Sequence, residues 1–212
     1  MSLHVTLVPC LTDNYAYLLT DAEAGLCAVV DPSEPAPVRQ ALAKAGLTLT
    51  HILNTHHHWD HTGGNEVLKA EFGATVVGPA KDAARIPGID QGVSEAAPFQ
   101  FGPHQGRILE VPAHTSGAIA FVFGDMAFTG DTLFAMGCGR LFEGDPPMMW
   151  ASLSKLMTLS DATKIYCGHE YTLSNGRFAL TLEPGNAALQ ARMREVEAAR
   201  TRGEPTVPST LA

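Results

Sequence analysis

Thr55-His56-His57-His58-Trp59-Asp60-His61 places four imidazoles and one carboxylate within seven residues. Upstream, Leu49-Thr-His-Ile-Leu-Asn54 reads as a short buried strand; downstream, Thr62-Gly-Gly-Asn65 opens a helical pattern. In an α-helix, residues two apart point to nearly opposite sides, so His56 and His58 could not share a metal there. In an extended segment they point the same way. A strand end or loop therefore suits His56 and His58 as ligands of one ion, turns His57 away, and lets Asp60 and His61 face a second ion as the chain enters the helix. Imidazole and carboxylate donors suit zinc, and also iron or manganese.

A catalytic zinc commonly takes three protein ligands and keeps a position for water, so distant residues must complete the set. His114 follows the apolar run Ile108–Val111, Asp131 follows Met126–Thr129, and His169 follows Ile165-Tyr-Cys. Each comes just after a strand candidate, as when a β-scaffold presents ligands along one edge. The expected arrangement is His56, His58 and His114 on one metal, Asp60, His61 and His169 on the other, and Asp131 bridging. A closed structural zinc site is disfavoured, because the set holds too many ligands for one tetrahedral ion and no cysteine. His4, His51 and His104 read as ordinary structural histidines.

The 212 residues carry 22 acidic and 14 basic side chains, a net charge of −8, which argues against a nucleic-acid or anionic-membrane surface. No stretch is apolar for long enough to span a bilayer, and the N-terminus lacks the basic start of a signal peptide. Cys10, Cys27, Cys138 and Cys167 form no C-x-x-C pair and read as reduced thiols of a cytoplasmic protein.

Further strand candidates are Leu3–Val8, Tyr15–Leu19, Leu26–Val30, Ile52–Asn54, Ala74–Gly78 and Ile119–Phe123. Pro37–Ala45, Glu66–Phe72 and Met148–Leu159 have helical spacing. The mixture predicts an α+β fold, two sheets packed together with helices outside. After Gly168 the character changes: Asn175–Leu182 and Asn186–Arg202 read as helices around Pro184-Gly185, before an extended tail.

The pattern His56-x-His58-x-Asp60-His61, with His114, Asp131 and His169, resembles the metallo-β-lactamase superfamily. Thr12-Asp-Asn-Tyr-Ala-Tyr-Leu-Leu19, Gly130-Asp-Thr-Leu-Phe134, Gly137-Cys-Gly-Arg-Leu-Phe-Glu-Gly144, Gly168-His-Glu-Tyr-Thr-Leu-Ser-Asn175 and Pro205-Thr-Val-Pro-Ser-Thr-Leu211 resemble glyoxalase II, the hydroxyacylglutathione hydrolases. The resemblance implies an αββα sandwich over residues 1–168 and a helical glutathione-binding region over 169–212. It implies two divalent metals, zinc first, and glutathione contacts from Arg140, Phe142, Tyr171 and Asn175.

The reaction expected is hydrolysis of S-(2-hydroxyacyl)glutathione by a hydroxide activated between two metals, with Asp60 and Asp131 as the catalytic carboxylates and no acyl-enzyme. The chain is expected to act as a monomer on a small thioester, with no nucleic-acid or membrane partner. Alternatives are a single-iron glutathione persulfide dioxygenase, a lactone or β-lactam hydrolase of the same fold, and a non-enzymatic metal-binding protein. Two departures stand out. The family continues into a short basic segment beyond Ser-Thr-Leu, so the C-terminal region is expected to be incomplete at Ala212. Phe142 lacks the hydroxyl of the tyrosine often found there.

Overall fold

The computed structural model describes residues 2–212. Two six-stranded sheets face each other. The first runs β1 (His4–Cys10), β2 (Asn14–Asp21), β3 (Leu26–Val30), β4 (His51–Leu53), β5 (Thr75–Pro79) and β6 (Gln91–Val93), in that spatial order. The second contains β7 (Phe99–Phe101), β8 (His104–Glu110), β9 (Ile119–Phe123), β10 (Met126–Gly130), β13 (Lys164–Cys167) and β14 (Ser209–Thr210); a small hairpin, β11 (Leu133–Phe134) with β12 (Gly137–Cys138), lies between β10 and β13 in sequence.

Strand periodicity sorts the side chains into layers. Tyr17 and Leu19 face Phe121, Phe123 and Phe128 in the core between the sheets. Their neighbour Leu18 points out, against Val38 and Leu42 of α1 (Pro35–Ala45) and Leu68 of α3 (Asn65–Phe72). Ala120, Val122 and Ile165 cover the outer face of the second sheet with Leu156 of α4 (Pro146–Leu156). Four layers, helix–sheet–sheet–helix, result. Each inner aromatic is almost fully buried, so truncating Phe128 to Ala would cost about 3–5 kcal/mol.

Helix ends explain where the observed elements depart from the spacing. α1 starts at Pro35 rather than Pro37, because proline at the first helical positions gives up no hydrogen bond; it stops at Gly46, whose φ of 66° closes a left-handed cap. α4 starts at Pro146 for the same reason, with Asp145 accepting from the Met148 N–H, and ends at Leu156 rather than Leu159. α5 (Thr172–Leu182) begins three residues before the expected Asn175, and α6 (Ala187–Thr201) uses Asn186 as its cap, accepting from Leu189 N–H. The short strands β6, β7, β11 and β12 escaped the sequence reading, being too brief for periodicity to register. Ser209–Thr210 of the tail return to pair with β13, so the C-terminal helices are stitched back to the second sheet.

Strand direction then places the site. β3, β4 and β5 are parallel, and β8, β10 and β13 share one direction. The loops leaving β4, β8, β10 and β13 gather at one edge, where Ile119 N–H donates to Thr55 O across the two sheets at 2.9 Å.

Candidate metal centre

All seven ligand candidates come to this edge. His56 leaves β4 through Thr55, and Trp59–Thr62 form the single-turn helix α2 that swings Asp60 and His61 inward. His114 follows β8, Asp131 follows β10, and His169 follows β13. His56 Nε2 and His58 Nδ1 are 3.2 Å apart, and His114 Nε2 lies 3.0 Å from His58 Nδ1. Asp60, His61 and His169 offer a second triad whose donor atoms lie within 4.8 Å of one another. Asp131 stands between the two: Oδ2 is 3.5 Å from His114 Nε2 and 3.2 Å from His169 Nε2, and Oδ1 is 3.4 Å from His61 Nε2.

The outward nitrogens decide which lone pairs face in. His114 Nδ1 donates to Arg140 O at 3.0 Å, and His169 Nδ1 to Asp13 Oδ1 at 2.9 Å. His61 Nδ1 donates to Asp31 Oδ2 at 3.1 Å. The Thr55 hydroxyl donates to Asp31 Oδ2 at 2.6 Å, leaving its oxygen to accept from His56 Nδ1 at 3.0 Å. In each ring Nε2 is thereby left as an acceptor aimed at the centre, the tautomer a metal requires.

These residues fit metal ions. Nitrogens bound tetrahedrally at the ~2.0–2.1 Å typical of zinc stand about 3.3 Å apart, close to the spacing of the first triad. Only one contact among those three nitrogens can share a proton; a cation satisfies all of them. His61 Nε2 and Asp131 Oδ1 are both buried and have no hydrogen-bond partner, an arrangement costly without a counter-charge. Burial and repulsion from neighbouring imidazoles push His58 down to about 4 and hold His56 well below the ordinary histidine range, keeping both neutral as ligands must be. Burial also opposes charge on His61 and His169, but the Asp131 carboxylate outweighs it and raises both, the same attraction it would exert on a cation. Burial would raise Asp131; His61 and His169 reverse this and hold its carboxyl well below the usual carboxylate range.

Sequence reasoning missed the supporting residues. Asp31 also groups with His56 and His61, but its two oxygens are taken up by Thr55 N–H, the Thr55 hydroxyl and His61 Nδ1. Those bonds fix the rings of two ligand candidates, His61 directly and His56 through Thr55. The Asp31 φ of 49° is a strained conformation for an aspartate, fixed by those bonds. Asp13 and Asn14 lie in the quoted Thr12-Asp-Asn-Tyr stretch without an assigned role. Asp13 holds His169, and Asn14 Nδ2 donates to Asp60 O at 3.0 Å and to Asp60 Oδ2 at 3.2 Å. His57 does turn away, its Nδ1 lying 3.0 Å from Asp82 Oδ2. His51 and His104 are structural, on Thr50 and Asp21.

A cavity of about 830 Å³ opens over the centre, lined among others by Asp60, Asp131, Arg140, Phe142, Tyr171 and Asn175. The Tyr171 ring stacks on His169, centroids 4.7 Å apart and nearly parallel. Phe142 stands edge-on to His58 and His114 at 5.7 and 5.2 Å. Asn175 Nδ2 donates to Ala135 O at 3.2 Å. Trp59, 71% exposed, also lines the cavity.

Known proteins resemble this chain along its length. Residues 12–169 match the metallo-beta-lactamase superfamily and residues 170–212 match the hydroxyacylglutathione hydrolase C-terminus. A hydroxyacylglutathione hydrolase of Methylococcus capsulatus is 54% identical over 99% of this chain and 83% of its own length. One from Cereibacter sphaeroides is 53% identical over 100% and 84%. Among solved structures, ETHE1 from Myxococcus xanthus aligns with a TM-score of 0.71 and 32% identity, covering 81% of this chain and 76% of that one. TTHA1623, solved in a di-iron-bound form, aligns at 0.66 and 27% identity, covering 78% and 91%. With two convergent ligand triads at the edge of an αββα sandwich, and with relatives this similar over its whole length, the chain belongs to the hydroxyacylglutathione hydrolase family of the metallo-β-lactamase superfamily.

Proposed function

We propose that this protein hydrolyses S-(2-hydroxyacyl)glutathione thioesters such as S-D-lactoylglutathione, releasing glutathione and a 2-hydroxy acid. Two divalent ions, zinc first, would be held by His56, His58 and His114 and by Asp60, His61 and His169, with Asp131 available to either. The observation that carries this reading is the position of Asp131 between two ligand triads that open on one cavity. Ions bound there supply polarisation of the thioester carbonyl and a water acidified enough to be a nucleophile near neutral pH.

The side chains divide the remaining work. Asn14 fixes the Asp60 carboxylate through Oδ2, and Asp60 orients the attacking water and takes a proton from it. Arg140 supplies positive charge at the cavity wall for a glutathione carboxylate. Tyr171, held flat on His169, and Asn175 line the side facing the thiol carrier. Phe142 gives an apolar edge that shields His58 and His114 from water, and without a hydroxyl it makes one hydrogen bond fewer than a tyrosine would. A thiolate leaves readily, so no strong general acid is needed. Cys138 lines the cavity, but burial raises its pKa, and it remains a thiol rather than a nucleophile.

We also propose a division at residues 168/169, action as a monomer and residence in the cytoplasm. All four cysteines are free thiols. Among the described residues no helix is long and apolar enough to cross a membrane.

Metal analysis of the purified protein joined to a thioester assay with S-D-lactoylglutathione tests this. About two ions per chain and turnover lost on chelation are expected. Two bound metals without hydrolysis, or one iron with oxygen uptake, overturn the reading.

A further inference from the structure

Residues 139–145 carry Arg140 and Phe142 over the cavity without regular secondary structure. Hairpin β11–β12 anchors one end and α4 the other. Between them, one carboxylate reaches several loops. Glu143 accepts from Arg85 Nη1 at 3.0 Å, from Arg85 Nη2 at 2.5 Å and from Ser116 N–H at 2.7 Å. Its own N–H donates to Ala113 O at 3.3 Å. Ala113 and Ser116 flank His114-Thr115, so Glu143 grips the loop that presents a ligand of the first triad.

Arg85 continues the connection. It ends the 3-10 turn Ala80–Arg85, and its Nη1 lies 3.6 Å from Asp82 Oδ1. Asp82 Oδ2 is 3.0 Å from His57 Nδ1, between His56 and His58, and the other ring nitrogen of His57 is 3.9 Å from Glu143 Oε1. Asp82 is packed so closely on Gly117 that a Cβ there would stand 2.5 Å from its Oδ2.

An ion pair as open to solvent as this one, with side chains 42% and 27% exposed, adds little to global stability. Its fork geometry fixes direction instead, since two parallel N–H donors allow the carboxylate one orientation. We propose that Arg85 and Glu143 are positioning residues, a latch that holds the Arg140–Phe142 segment in register with the histidine loops and so sets the thiol carrier relative to the metal centre. The proposal rests on the thioesterase reading for its kinetic part. A segment freed from such a latch orders itself only on binding, so its loss weakens the hold on the thiol carrier and appears in KM more than in kcat.

The test compares wild type with Arg85→Met, Glu143→Gln, the double variant and Arg85→Lys. Metal content, S-D-lactoylglutathione kinetics and amide hydrogen exchange of the peptide spanning residues 137–144 are measured for each. In both single variants KM rises about 10-fold with kcat within about 3-fold and metal content unchanged. Exchange quickens in that peptide alone, and the double variant is no worse than either single, because the two act as a unit. Arg85→Lys falls between, keeping charge but losing the fork. Unchanged KM and exchange overturn the latch, as does loss of metal with kcat falling as far as kcat/KM, which marks a structural role in the ligand loops. If wild type shows no turnover, the thioesterase reading fails and exchange alone decides: quickening confined to residues 137–144 keeps the latch, and its absence removes it.

Discussion

The Asp13 carboxylate lies 2.9 Å from Nδ1 of His169, although 156 residues separate them in sequence. The β1–β2 turn thereby sets the tautomer and orientation of a ligand candidate that follows β13. A carboxylate behind a metal-binding imidazole raises its basicity and holds its ring.

Asp13→Ala should weaken metal binding at the Asp60–His61–His169 position by about 10–100-fold while leaving the three-histidine position filled. Competition with a chelator, read as ions per chain, checks this. Equal loss from both positions would be against it, because Asp13 contacts only His169 among the ligands described.

Asp60→Asn should keep the fold and lower kcat by about 100-fold or more, since an amide accepts no proton. Circular dichroism confirms folding beside the thioester assay. A variant with full activity would remove Asp60 from its assigned role.

At Gly168 an added Cβ would sit 2.5 Å from His61 Cε1 and overlap Asp131 Oδ1. Gly168→Ala should therefore spread the centre, costing about 1–3 kcal/mol of stability together with metal affinity. Thermal unfolding and metal content follow both effects; normal metal content would mean that the loop absorbs the methyl elsewhere.

Asp21 Oδ2 is 2.6 Å from His104 Nε2, and Oδ1 accepts from the Glu23 and Ala24 N–H groups. The bond from His104, aided by those N–H groups, holds the Asp21 carboxyl below its ordinary value of 3.8. A depressed folded-state pKa contributes stability above that ordinary value and loses it as pH falls through the folded one. Asp21→Asn should thus be less stable than wild type at neutral pH, the gap closing as pH is lowered from about 5 toward 3. Denaturant titrations across that range measure it, and a constant gap would contradict the ionic origin.

Some of the centre was legible because its spacing is local. His56, His58, Asp60 and His61 fall within six residues, where backbone geometry alone divides them between two directions. His114, Asp131 and His169 were legible one step less directly, each as a histidine or aspartate just after an apolar strand run. The two-sheet core could be read from the succession of strand runs with interspersed helices; a run such as Ile119–Phe123, apolar and buried at every position, marks a strand covered on both faces without saying which aromatics face inward.

What sequence alone determined, then, is the chemistry of the donors and the layered architecture, because residue type and short-range periodicity carry both. Tertiary structure decided which atom of each donor faces the centre. His61 uses Nε2 because Asp31 occupies Nδ1, and His169 because Asp13 does. It also decided that Glu143 reaches Arg85 and Ser116, 58 and 27 residues away. Those partners come from separate loops, and only the packing of one sheet on the other brings them within hydrogen-bond reach.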